Sequence, residues 1–348
     1  MEFQIIRILF FATLSFVFAI LSAPLLTHFL YKYKLGKKIR DSGNTPIFSK
    51  LHAHKAGTPT MGGVLIWGTV LILIGFFYLL FQFLPSDAFT FFNFLSRSET
   101  LLPLGALVAS ALIGLFDDWL DVRGRGVFGG GGLKLRHRLM IFTLIAIIGA
   151  LWFYFKLDWT IIHVPFLGNF EIGAWYIPIF IFIIVATSFS VNETDGLDGL
   201  AGGTLLISFA SYGVISFAMG RYDLATFCAV IIGALLAFIW FNIPPARFYM
   251  GDTGSMSLGV TLGIIAMLTN NAFLLIFIGV VFLVESMSVI IQLLSKRFRH
   301  KKVFLSSPIH HHFQALGWPE AKVVMRFWVL AGIGATIGLI IFLLDKQI

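Results

Sequence analysis

Ten apolar runs, mostly of roughly 16 to 27 residues, follow one another along this chain, and about 20 consecutive apolar residues are enough for a helix to cross a bilayer. They fall near Ile5 to Tyr31, Met61 to Leu84, Leu101 to Phe116, Leu139 to Phe155, Ala174 to Ser190, Leu200 to Met219, Leu224 to Phe241, Met256 to Thr269, Ala272 to Leu294 and Arg326 to Leu344. Charged residues make up 12% of the 348, about half the share of a soluble domain, while 58% are hydrophobic. The reading is an all-α polytopic membrane protein, a single transmembrane domain over 1–348, in which length counts spans rather than soluble units. The third and eighth runs are short. Glu285 inside the ninth predicts a break there, because a buried acid needs a partner or water. The first run is too long for a signal-peptide core and is followed by a basic loop, so it reads as a retained span. Cys228, the single cysteine, lies in an apolar run and excludes an intramolecular disulfide.

Ten spans place the loops near 32–60, 117–138, 191–199, 242–255 and 295–325 on one side. Nineteen of the 25 Lys and Arg residues fall there and Arg326 lies at the edge of the last, which by the positive-inside rule is the cytoplasm, with both termini outside. The net charge of +8 is therefore concentrated on one face, where it would attract anionic headgroups or a polyanionic soluble substrate. For the cluster from Lys32 to Lys38, topology alone is a sufficient explanation. Nucleic acid is not expected as a partner, since the loops lack a recognisable reading module and are interrupted by membrane spans. Asp41, Asp117, Asp118, Asp121, Glu193, Asp195, Asp198, Asp252 and Glu320 lie on the same side.

Five stretches on that face carry chemistry. Asn192 to Gly203 holds three acids, four glycines and no Lys or Arg. Carboxylates near hydrocarbon cost a few kcal/mol each, roughly, and are retained for an ion, a substrate or a proton. If the stretch begins a helix, Asp195 and Asp198 share one face; a solvated turn with capping Asp and Thr is the plainer alternative. Asp117 and Asp118 are adjacent carboxylates at a helix C-terminus, where negative charge is disfavoured, so a cation is expected. Mg²⁺ suits them, because it bridges one or two carboxylates to substrate phosphates. After Pro244 and Pro245 end a helix, Asp252, Thr253 and Ser255 can cap the next, whose N-terminus would offer N–H groups to a phosphate while Asp252 holds the metal. His310, His311 and His312 invite a zinc reading, but adjacent residues diverge, and hydrogen bonding to phosphate or sugar is the better use. His52 to Gly63 adds a cation, Lys55, at a membrane entrance.

Together these stretches, with Asn242, Pro308 and Gly317-Trp318-Pro319-Glu320, resemble the polyprenyl-phosphate sugar-1-phosphate transferases, and within that superfamily the phospho-N-acetylmuramoyl-pentapeptide transferase branch, to which the triple histidine and the Gly-Trp-Pro-Glu motif are specific. The resemblance implies a ten-helix, Mg²⁺-dependent homodimeric enzyme of the bacterial inner membrane with its site facing the cytoplasm. It would join undecaprenyl phosphate to UDP-N-acetylmuramoyl-pentapeptide, release UMP and form the first lipid intermediate of peptidoglycan. It implies catalytic roles for Asp117, Asp118, Asp252, His311 and Lys55, with the three aspartates on the metal. Substrate would meet Asn192, Asp195, Gly196, Asp198, Asn242, Lys134, Arg138, His310 and His312. The chain departs from the pattern at Asp121, where Lys is usual, at Arg138, where Lys is common, at Glu193, which replaces Leu, and in the glycine run Gly129 to Gly132. Two rivals stand beside this reading: a relative using another UDP-N-acetylhexosamine, and an ion-coupled transporter. Acids confined to one face and the lack of an internal repeat speak against the transporter. The acceptor phosphate is mostly dianionic at neutral pH, so its direct attack, with Asp252 as metal ligand and Asp117 as positioning group or assisting base, is favoured over a covalent intermediate on Asp252.

Overall fold

The computed structural model describes residues 1–36, 57–84, 86–97, 99–124, 133 and 135–347. Among them are the helices α1 (Glu2–Lys32), α2 (Val64–Phe83), α3 (Asp87–Phe92), α4 (Leu101–Arg123), α5 (Leu135–Lys156), α6 (Tyr176–Thr194), α7 (Leu200–Ala218), α8 (Tyr222–Asn242), α9 (Gly251–Leu268), α10 (Leu275–Ile278), α11 (Val280–Phe298), α12 (Ile309–Ala315) and α13 (Glu320–Asp345). Nine are long and apolar enough to cross a bilayer. A tenth span is broken, bending by 84° between 272–278 and 280–299. The protein is an all-α polytopic membrane protein. The ninth run does break, but at Gly279, six residues before Glu285, where the helix restarts.

The core is α9, whose apolar window is 94% buried. It packs against α4, α6, α2 and α7, while α8 fills the space between α1 and α7. Small residues make this possible, since helices in lipid associate by close packing rather than by expelling water. Buried hydroxyls return their hydrogen bonds to the preceding turn, as Ser257 Oγ does to Thr253 O at 2.6 Å and Thr261 Oγ1 to Ser257 O at 2.7 Å, so no polar group faces hydrocarbon unpaired at these positions.

Several boundaries differ from the hydropathic ones, and two of them shape the site directly. The third span does not stop at Phe116 but runs to Arg123, where Gly124 takes a left-handed conformation with φ 64° and ends it. Asp117, Asp118 and Asp121 are thus helical rather than in a loop. The eighth begins at Gly251, so Asp252 lies in its first turn. At the opposite end of the bundle, Ile161–Val164 (β1) and Gly168–Glu171 (β2) form an antiparallel hairpin that hydropathy did not foresee. Asp345 at the end of α13 clamps it, accepting from Phe166 N at 2.6 Å and meeting His163 Nε2 at 2.5 Å. A cavity of about 630 Å³ opens beside this hairpin, lined by Trp159, Arg221, Asn270 and Lys346 among others, far from the acid cluster.

Candidate active site

The site is built where α4 crosses the start of α9. Gly114 allows the crossing, since a Cβ there would come within 2.4 Å of the Asp252 carbonyl oxygen. One turn further on, α4 presents Asp117 and Asp118, both buried. The Pro59 to Gly63 segment closes in from another side: Tyr249 N donates to Pro59 O at 2.8 Å, and Gly62 N and Gly63 N donate to the carbonyls of Tyr249 and Met250 at 2.7 and 2.8 Å.

Asp117, Asp252, Asn192 and Arg138 form one network. Arg138, from the first turn of α5, places Nε 3.0 Å from Asp117 Oδ2 and Nη2 2.6 Å from Asp252 Oδ2. Its Nη1 donates to Asn192 Oδ1 at 3.2 Å, and Asn192 Nδ2 donates to Asp252 Oδ1 at 2.7 Å and to Ser255 Oγ at 2.9 Å. The backbone N–H of Leu133 donates to Asp117 Oδ1 at 2.5 Å. One guanidinium therefore bridges two carboxylates. Its planar fork can serve both and an amide at once, which a point charge cannot do. The departure from Lys at this position is thus accommodated by the geometry. Glu193, half-buried on the last turn of α6, feels Arg138, Glu285 and Asp252 electrostatically and adds a third carboxylate to the neighbourhood.

Asp118 takes a different part. Its Oδ1 accepts from Asp252 N at 3.1 Å and from Thr60 Oγ1 at 3.2 Å, and its Oδ2 accepts from Thr253 N at 3.0 Å. It caps α9 from outside, offering negative charge to a helix N-terminus. This corrects two expectations. Thr253 and Ser255 are not caps, since their hydroxyls donate to Ala111 O and Gly251 O. The first N–H groups of α9 are spent on Asp118 rather than offered to a phosphate. Among the described residues, no group of three or more His, Cys, Asp or Glu side chains is arranged to hold an ion.

The acidic stretch from Asn192 straddles a helix end. Asn192 belongs to α6, Asp195 follows its C-terminus, and Gly199, with φ 84°, leads into α7. Asp195 and Asp198 therefore do not share a helical face. Asp198 Oδ2 accepts from Ala246 N at 3.1 Å, and its backbone N–H donates to Glu320 Oε1 at 2.7 Å. Asn242 is spent on structure as well, with Oδ1 accepting from Gly199 N and Nδ2 donating to Phe248 O, each at 2.8 Å. Both residues fasten loops. Gly196 is required for space, because a Cβ there would lie 2.3 Å from His310 Nε2.

The histidines sit on α12. His310 is wholly buried, with Nδ1 2.9 Å from Glu285 Oε2. His311 Nδ1 lies 2.9 Å from Gln314 Oε1, and its ring packs against that of His310 with centroids 4.0 Å apart. His312 Nδ1 accepts from Leu305 N at 3.2 Å and holds the preceding loop. His310 and His311 therefore stay ring against ring, while His312 turns to the preceding loop. Glu285 was recognisable in the sequence as an acid in an apolar run, but its partner was not. Lys55 and Lys134 lie outside the described residues.

The family model for glycosyl transferase family 4 matches residues 100–270, and a phospho-N-acetylmuramoyl-pentapeptide-transferase signature matches 55–66. Proteins named phospho-N-acetylmuramoyl-pentapeptide-transferase align over nearly the whole chain. The one from Chloroflexus aggregans is 38% identical over 96% of this chain and 89% of its own length, that from Anoxybacillus flavithermus 38% over 96% and 97%, and that from Clostridium novyi 38% over 93% of each. With the acid pair, the Asn192–Asp252 bond and the histidine helix all in place, the chain belongs to the phospho-N-acetylmuramoyl-pentapeptide transferase family.

Proposed function

We propose that the chain transfers phospho-N-acetylmuramoyl-pentapeptide from its UDP conjugate to undecaprenyl phosphate, releasing UMP, at the network of Asp117, Arg138, Asn192 and Asp252. The observation that carries this reading is that network's form: two carboxylates and an amide held in register around one guanidinium at the head of the central helix. Such rigidity is what positioning and electrostatic catalysis of phosphoryl transfer require. Asp117 and Asp252 fit Mg²⁺, which needs only one or two carboxylates and takes its remaining oxygens from water and phosphate. In support, Asp117 Oδ2 is buried without a hydrogen bond, although Arg138 lies beside it, and so retains lone pairs for a cation. When bound there, the ion would neutralise charge on the diphosphate. Asp118 supports the site by holding the turn that carries Asp252.

The chemistry is one displacement. An oxygen of the polyprenyl phosphate bonds to the sugar-bearing phosphorus while the bond from that phosphorus to the bridging oxygen breaks, and the electron pair leaves with UMP. The acceptor is dianionic for the most part at neutral pH, so no base is needed. Arg138 and Asn192 keep Asp252 aimed, and Lys55 and Lys134 are assigned to the phosphates. The network faces the cytoplasm of a bacterial inner membrane, where the nucleotide is made available, and the protein works as a homodimer.

Purified protein, incubated with undecaprenyl phosphate and a panel of UDP-sugars, tests the assignment through UMP release. The muramoyl-pentapeptide conjugate should react and UDP-N-acetylglucosamine should not. Reaction with the latter alone would move the chain to another branch of the superfamily, and uptake of a UDP-sugar into proteoliposomes without UMP would make it a transporter.

A further inference from the structure

We infer that Glu285 and His310 form a buried positioning dyad that holds the Asp195–Gly196 turn beside the reacting groups, an inference that rests on the transferase reading above. An ionisable residue inside a span is retained for a purpose, and none of the transfer chemistry uses Glu285 directly. It and His310 are each wholly buried, on elements separated by the Arg299 to Pro308 segment, and Nδ1 of the ring meets Oε2 at 2.9 Å. The backbone N–H of His310 approaches the same oxygen at 3.5 Å. The bond that Nδ1 makes with Glu285 fixes the orientation of the ring.

With the ring fixed in this way, its Nε2 edge lies against Gly196 so closely that no Cβ fits between them. The turn it braces begins three residues after Asn192, which holds both Asp252 and Arg138. A second latch joins the same two helices, since Ser286 Oγ donates to Ser190 Oγ at 2.8 Å. The half-span after the bend at Gly279 thus sets the position of α6's end, and with it Asn192 and Asp195. His310, expected from the sequence to touch substrate, acts instead through the turn. Glu285 Oε1 makes no hydrogen bond and leaves room for an amide nitrogen, so glutamine can replace the acid while its carbonyl accepts from the ring.

The test is a double-mutant cycle on UMP release with a structural readout beside it. Glu285→Ala and His310→Ala should each lower kcat by about 10–100-fold, the range seen when a partner that orients a ligating histidine is lost. KM for the acceptor lipid should stay within about twofold, because the binding groove is untouched. The double variant should be no slower than the slower single variant, and Glu285→Gln should recover to within about tenfold of the parent. Losses that multiply in the double variant, or a Glu285→Ala enzyme of parental rate, would overturn the dyad. Should Glu285→Ala fail to fold, ¹⁵N spectra of the parent protein and of Glu285→Gln decide: a His310 Nδ1 resonance that moves on this substitution supports the inference, and one that does not move overturns it. A parent protein that releases no UMP would fail the transferase reading while leaving the spectral result to stand on its own.

Discussion

Replacing Asp118 by Asn separates two roles that the sequence could not tell apart. Asp118 accepts from Asp252 N at 3.1 Å, Thr253 N at 3.0 Å and Thr60 Oγ1 at 3.2 Å, and it is 5% exposed. Asparagine keeps the shape but turns one acceptor oxygen into a donor facing a donor. At least one charge-assisted hydrogen bond is lost, worth about 1.5–3 kcal/mol, together with the favourable charge at the head of α9, worth about 0.3–1 kcal/mol. The sum is about 2–4 kcal/mol of stability concentrated on the turn that carries Asp252. At roughly 2 °C per kcal/mol for a chain of this size, the unfolding midpoint in detergent should fall by about 4–8 °C. Turnover should fall at least about 100-fold, because a small misplacement of a positioning group is enough to do so. The assay is a thermal melt and a UMP-release titration with Mg²⁺, each run with and without chelator. The midpoint should drop equally in both conditions, and excess Mg²⁺ should not restore the rate. An unchanged midpoint with activity recovered at high Mg²⁺ would show Asp118 to be a metal ligand and refute the capping argument.

Chelation should abolish UMP release by the parent protein, and Mg²⁺ or Mn²⁺ should restore it; full activity in excess chelator would remove the metal from the mechanism. Arg138→Ala leaves Asp117 and Asp252 facing each other without their shared cation, a change of about 3–5 kcal/mol for a partner lost from a buried ion pair. Its melting midpoint should therefore fall in chelator and recover with Mg²⁺, and Arg138→Lys should lose less; a midpoint indifferent to Mg²⁺ would count against a shared carboxylate site. Labelled UMP, incubated with lipid-free enzyme, Mg²⁺ and the UDP-sugar, should not enter the UDP-sugar, since a single displacement has no enzyme-bound intermediate. Exchange that disappears in Asp252→Asn would establish a covalent route instead.

The spans were legible because hydropathy is a local property, and every long helix in the structure overlaps one of the ten apolar runs. Helix ends were less so. Hydropathy stops the third span at Phe116, yet the helix continues until Gly124 turns it, so the acid pair was assigned to a loop. The cap of α9 was sought in Thr253 and Ser255, its own first turn, when Asp118 supplies it from a helix far earlier in the chain. Asp117, Asp252, Asn192 and Arg138 were all recognisable by residue type and motif, and the structure brings them together. Asp198 and Asn242 looked the same in sequence but bind backbone in neighbouring loops, because a polar side chain at a helix end serves a loop as readily as a ligand. Glu285 stood out as a buried acid. That His310 answers it could not be read, since the pairing depends on how α12 folds back beneath the bend.

Mass analysis of the lipid product against the UMP formed tests the central claim most directly. Purified protein given undecaprenyl phosphate, UDP-N-acetylmuramoyl-pentapeptide and Mg²⁺ should yield one muramoyl-pentapeptide diphospholipid, with both phosphates, for each UMP released, and the Asp252→Asn protein should yield neither. A lipid carrying a single phosphate, or UMP released without any modified lipid, would contradict transfer to the carrier phosphate.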